Sequence, residues 1–274
     1  MADELVKHAT NAIVPFEDFL TTETPASIDT GELGSEGIGR EDITMPRIGI
    51  AQKMSPEIDP TSPRYIDGLK FTDLYHTGEK KSLGQGPVHF SILKRLEPRY
   101  IEFYPIESGG GVKEFDVPKD DPRTQFTVDR ATGKKTKPVA TMFYDFIVLL
   151  LNDLDMSNPN KNVVALSFKS SGLKAAKKLN YLITSRPRKL LPKGVYKIWS
   201  GKPQTDKNSG GTYAVYDVDN AGWLKEESAV EKYAISAFES WKDRAAPKID
   251  VDATTEEVVV DDSMAANQED MPAM

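Results

Sequence analysis

Val88-His-Phe-Ser-Ile-Leu-Lys-Arg-Leu-Glu-Pro-Arg-Tyr-Ile-Glu-Phe-Tyr-Pro105 reads as two extended segments, Val88–Leu96 and Tyr100–Pro105. Its aromatic and branched residues recur at a period of two, which suits a pleated, half-buried strand and not a helix. In the second segment the alternation puts Tyr100 and Tyr104 on one face and Ile101 and Phe103 on the other. One face suits a core and the other a platform.

Outward from this stretch the same period recurs in Arg47–Lys53, Lys70–Tyr75, Val139–Leu150, Asn162–Phe168, Gly194–Ser200 and Thr212–Asp217, punctuated by Gly, Pro and Asp. These strands predict a small barrel or sandwich. Two helices interrupt the pattern. The first is expected from Ser170-Ser171, whose hydroxyls are placed to cap it, through Thr184. Lys174, Lys177 and Lys178 form a cationic stripe on it, while Leu173, Ala176, Leu179 and Ile183 face the sheet. The second, Glu226–Arg244, lines up Val230, Tyr233, Ala237, Phe238 and Trp241 as an apolar stripe that packs on the barrel. A long polar excursion runs from Gly109-Gly110-Gly111 to the Lys-rich Arg130–Lys137, and Pro203–Gly211 predicts a hairpin with a wide tip. The fold expectation is a β-rich α+β body with two packed helices and long loops.

The charge is unevenly spread. Residues 1–44 hold 10 acids and 2 bases, residues 249–274 hold 8 acids and no base, and the body at 45–248 keeps 24 acids and 33 bases, a net of +9 within a chain of net −7. The expected organisation is therefore an acidic flexible N-terminal arm (1–44), a basic domain (45–248) and a disordered acidic C-terminal tail (249–274). A cationic body flanked by acidic arms suits a polyanionic partner.

Little in the sequence carries catalytic chemistry. The absence of Cys removes disulfides, thiol nucleophiles and thiolate metal sites. Ser108-Gly-Gly-Gly-Val112 lacks the spacing of a phosphate loop, and neither a zinc-protease nor a nucleophile-elbow motif is present. Asp120-Asp121 and Asp153/Asp155 read as solvated loop acids, and His76 and His89 as structural. No enzyme activity, metal or cofactor is expected. The longest apolar run, Phe146–Leu151, is far shorter than the roughly 20 residues of a membrane helix, so a cytoplasmic protein without membrane contact is expected.

The positive signal is aromatic residues interleaved with cations. Tyr100, Tyr104, Tyr196, Trp199 and Tyr213 are the candidate ring faces, and Lys94, Arg95, Arg99, Lys174, Lys177, Lys178, Arg188, Lys197 and Lys202 the candidate phosphate holders. Sequence-tolerant binding of single-stranded nucleic acid needs this combination, because every base offers a π-face and every nucleotide a phosphate.

The tail carries a resemblance. Glu256-Glu257, Asp261-Asp262 and the final Glu269-Asp270-Met271-Pro272-Ala273-Met274 resemble the acidic, Pro-containing, apolar-tipped tails of bacterial and bacteriophage single-stranded-DNA-binding proteins, although the tip here is Met and not Phe. A looser likeness to a group of tailed-phage proteins lies in Met45-Pro-Arg-Ile-Gly-Ile-Ala-Gln52, Pro63-x-Tyr65-x-x-Gly68 and Tyr100–Pro105. The resemblance implies an OB-fold-like barrel that coats single-stranded DNA during phage replication or recombination, inside the infected host cell. It also implies that the tail, through Glu269, Asp270, Met271, Pro272 and Met274, recruits replication or recombination partners and competes with DNA for the groove, with homo-oligomers within its range. A single-strand annealing mediator and a phage protein-interaction module are the alternative readings.

Overall fold

The computed structural model describes residues 44–105, 111–128, 133, 135–157, 159–185, 188–205, 210–244 and 246–249. Its strands are β1 (Thr44–Met45), β2 (Arg47–Ile50), β3 (Leu74–His76), β4 (Lys81–Gly84), β5 (Val88–Arg95), β6 (Arg99–Phe103), β7 (Val112–Glu114), β8 (Thr127–Val128), β9 (Lys135–Thr136), β10 (Ala140–Leu150), β11 (Val163–Lys169), β12 (Gly194–Ser200), β13 (Gln204–Thr205), β14 (Thr212–Tyr213), β15 (Tyr216–Trp223) and β16 (Lys248–Ile249). The helices are α1 (Leu173–Thr184) and α2 (Ala229–Lys242). Most residues of the two acidic arms, including Glu269, Asp270, Met271, Pro272 and Met274, lie outside the described residues.

β10 organises the molecule because its sequence, ATMFYDFIVLL, is apolar on both faces of its C-terminal half. Such a strand belongs at the centre of a sheet covered on both sides. It pairs with β11 along one edge and with β5 and β6 in succession along the other. The full path is β15-β12-β5-β10-β11-β2-β3-β4, with β7 attached to β6. The β2–β11 pair is parallel and the other neighbours are antiparallel.

Residues from both ends of this path meet in one core. Val218 on β15, Tyr196 and Ile198 on β12, Phe90, Val148, Leu166, Ile48 and Leu74 share a cluster with Ala175, Ala176 and Leu179 of α1. The sheet is therefore curled into a half-barrel with α1 on its concave side. Gln52, just after β2, ties the curl with its side-chain amide, which donates to the Ala214 carbonyl at 3.0 Å and accepts from the Ala214 N–H at 2.8 Å. On the opposite face, Leu93, Ile147, Leu149, Ala165 and Val195 pack under Val230 and Ala234 of α2. With ten strands the sheet is larger than the five-stranded barrel of an OB-fold.

Both helices sit where the apolar stripes direct them, but their starts differ from expectation. Ser170–Gly172 forms a 3₁₀ turn, and α1 begins after Gly172 without a side-chain cap, so the Ser170-Ser171 hydroxyls do not cap it. In α2 the Ser228 hydroxyl accepts from the Glu231 N–H at 3.1 Å, which fixes the first turn at Ala229.

The polar excursion is more ordered than its composition suggests. Arg123 joins Glu102, Glu114 and Asp121 at 2.5, 2.6 and 2.7 Å, and Lys113 also pairs with Glu102. These contacts hold Asp121 down to a pKa of about 2 and lower that of Glu102. At the chain ends, β1 and β16 form a parallel ladder, Thr44 opposite Lys248 and Met45 opposite Ile249, and both apolar side chains are buried.

Candidate nucleic-acid interface

Alternation along β12 divides its side chains. Tyr196 and Ile198 enter the concave core, while Lys197 and Trp199 are only partly covered. The rings of Tyr196 and Phe90 stack at 5.9 Å. Tyr196 is fully buried and offers no face to a ligand, which corrects the expectation for that residue. Tyr213 is likewise buried, its hydroxyl donating to Gln204 at 3.1 Å, because the hairpin between β13 and β14 folds it inward.

Trp199 remains as the aromatic of this region. Lys197 Nζ lies 5.6 Å from the indole centroid and Lys178 Nζ, from α1, lies 5.9 Å away. Cations over an indole are held by its negative π-face. Lys178 also reaches Asp217 at 3.0 Å, and Asp217 is the direct cross-strand partner of Trp199. An open groove of about 390 Å³ runs beside the ring, lined by Gln85, Gly86, Pro87, Lys197, Trp199 and Ser200. Its wall is fixed. The Ser200 N–H donates to the Gln85 carbonyl at 2.9 Å, and Gln85 Nε2 donates to Thr72 Oγ1 at 3.0 Å. Gly86 has φ +89°, and a Cβ there would stand 2.9 Å from both the Ile198 carbonyl and Trp199 Cβ, so only glycine fits against this stretch of β12.

The other candidates are dispersed. Lys174 and Lys177 are exposed on α1 near Lys178, and Lys202 is exposed just beyond β12. Arg95 is exposed at the far end of β5, the strand beside β12, and Tyr104 is exposed just beyond β6, which pairs with β10 and β7 and not with β12. Lys94 donates to the Lys242 carbonyl at 2.9 Å and also to that of Arg244, closing the end of α2. Arg99 is bound to Asp145 at 2.6 Å and lies over Phe143, so its charge is committed to the fold. Tyr100 is half-buried, which raises the pKa of its hydroxyl. The Arg188 side chain lies outside the described residues. Among the loop acids, Asp153 pairs with Lys81 at 3.2 Å and Asp155 accepts from Ser157. His76 is buried, its Nδ1 accepting from the Glu79 N–H at 3.0 Å, and burial lowers its pKa.

Sequence reasoning passed over Asp217 and the Gln85-Gly86-Pro87 wall. Gly86-Pro87 is a strong turn signal and marked a place where backbone approaches another group closely. Lys169, over Phe103 at 5.5 Å and Phe143 at 6.0 Å, also went unremarked.

Among the described residues no helix is long and apolar enough to cross a membrane. The chain is a bacteriophage-type protein by its sequence relationships. Residues 17–246 match the family model described as Pam3 phage gp34-like protein, and the chain belongs to that family. No curated protein and no solved structure matches it.

Proposed function

We propose that this phage protein binds single-stranded DNA without strong sequence preference, acting as a coat and not as a catalyst. The observation that carries the reading is Trp199, an indole at an open groove with Lys178 and Lys197 at its ring and Lys174, Lys177 and Lys202 exposed nearby. A base stacks on such a ring while its phosphates take the lysines. The half-barrel serves as the platform in place of a five-stranded OB barrel, and the acidic tail serves as a contact for replication or recombination proteins.

Titrating the intrinsic Trp fluorescence with oligo-dT and with a duplex of equal length, at two salt concentrations, tests the proposal. Quenching by the single strand, with affinity falling by a log–log slope of about −0.7 per phosphate contacted, is expected. Equally poor binding of both DNAs overturns it.

A second reading has its own support. Tyr104, Phe115, Phe126, Val128 and Val139 are large apolar side chains exposed on or beside the excursion between β6 and β10. An apolar surface on an ion-paired loop favours contact with another protein, as in a phage accessory module. The duplex control separates the two, since such a module discriminates neither DNA.

A further inference from the structure

An anion stands beside Trp199, outside the lining of the groove. Asp217 stands opposite Trp199 on β15, 3.0 Å from Lys178 Nζ, with its side chain 44% exposed and that of Lys178 42% exposed. Lys178 is thus shared between a carboxylate and an indole face. An ion pair this exposed adds little to folding. A carboxylate beside a ring that stacks bases also repels the phosphates of an approaching strand, so neither stability nor attraction accounts for its place.

We propose that Asp217 stands where a backbone phosphate sits in the complex, and that Lys178 exchanges between the two anions. This rests on the reading of the Trp199 groove as a single-strand site. In the free protein Asp217 neutralises Lys178 and holds it beside the ring. An arriving nucleotide must take the lysine from the carboxylate, leaving Asp217 to solvent. The pair is a built-in competitor that weakens binding and keeps it readily reversible.

The exchange has a signature in affinity. The cations released on binding come from the strand's phosphates, so a Lys178–phosphate contact contributes about 0.7 to the magnitude of the salt slope in the native protein and in Asp217→Asn alike. The carboxylate changes only how strongly the lysine is held before the strand arrives. Affinity at low salt should rise about three- to fivefold, the equivalent of losing one exposed ion pair that competes with the ligand. Asn keeps an oxygen able to accept from the Val218 N–H, as Asp217 does at 2.8 Å, so the strand is preserved.

The test is oligo-dT titration of the full chain as the native protein, Asp217→Asn, Asp217→Asn with Lys178→Gln, and Trp199→Ala, each across a salt series. A tighter Asp217→Asn with the native slope, whose gain in affinity is abolished and whose slope falls in magnitude by about 0.7 when Lys178→Gln is added, is the expected result. If Asp217→Asn binds equally or more weakly, or keeps its gain in affinity when Lys178→Gln is added, while Trp199→Ala loses affinity, the exchange is overturned and the groove stands. If Trp199→Ala binds as the native protein does, the groove itself is wrong and the exchange falls with it.

Discussion

The side-chain amide of Gln52 pairs with both backbone polar groups of Ala214, acting as one rung of β-ladder between segments 162 residues apart in sequence. Ala214 is buried, so neither its N–H nor its carbonyl has water to fall back on. Gln52→Ala should lower stability by about 1–3 kcal/mol, the range for leaving a buried polar group unpaired. Urea unfolding checks it. A loss within error of zero would mean that the curl is held by its apolar core alone.

Trp199 and Tyr196 are three residues apart on β12 and should respond to truncation in opposite ways. Trp199→Ala should weaken single-strand binding about 5- to 150-fold, the worth of one stacked base, with the fold retained. Tyr196→Ala removes a fully buried ring and should cost about 3–5 kcal/mol of stability, with binding lost only as the protein unfolds. Paired melting and titration curves separate the two. Equal melting losses in both variants would place Trp199 in the core.

Arg123 should govern the order of the excursion between β6 and β10. Arg123→Met leaves Glu102, Glu114 and Asp121 without their shared cation, and amide exchange across residues 111–128 should quicken while β5 and β10 stay protected. The native contacts should be acid-sensitive in a defined window. Asp121 is depressed to about 2 and Glu102 is also lowered, chiefly by hydrogen bonds from their cationic partners. Depressed carboxylates contribute fully above their unfolded pKa near 4 and lose that contribution as pH falls through the folded value. Protection in this segment, measured relative to the intrinsic exchange rate at each pH, should therefore hold down to about pH 4 and fall toward pH 2. Protection that is flat across that window would contradict the ion-pair account.

Ser228 should matter to α2 out of proportion to its size. Its hydroxyl accepts from the Glu231 N–H, Glu231 Oε2 accepts from the Glu227 N–H at 2.6 Å, and Lys193 holds the other Glu231 oxygen at 2.6 Å. Burial opposes ionisation of Glu231, but Lys193 and that N–H prevail and its pKa is lowered. Ser228→Ala should cost about 1 kcal/mol, read as a lower urea midpoint. Ser228→Asp should restore most of it.

Much of this architecture was legible where one physical signal dominates. Gly194–Ser200 was read with the bounds that the structure gives it, and β5, β10 and β11 within a residue or two, because apolar period-two runs between turn residues have few other uses. The apolar stripe of α2 was legible for the same reason. The ion-paired excursion was not, since Arg123 meets Glu102 and Glu114 only after β6 and β7 pair, and a local reading sees just polar residues. The site was legible in kind and not in detail. Tyr196, Trp199 and Tyr213 look alike as aromatic strand residues; alternation separates Tyr196 from Trp199 but does not say which face is the core, and Tyr213 is turned inward by the β13–β14 pairing. Asp217 shows its importance through Lys178, 39 residues away in sequence, which no spacing rule connects.

The β1–β16 ladder makes the domain a nearly circular chain, its first and last strands lying side by side with Met45 and Ile249 in the same apolar cluster. A covalent link between these strands, with new ends opened at the tip between β13 and β14, should give a permuted protein with the same core. A truncation meant to remove the acidic tail must stop after Ile249, because cutting at Pro247 unclasps the opposite terminus as well. The two acidic arms are therefore joined to the body at neighbouring strands, with Thr44 opposite Lys248, and an attachment at either end of the domain stands beside the other.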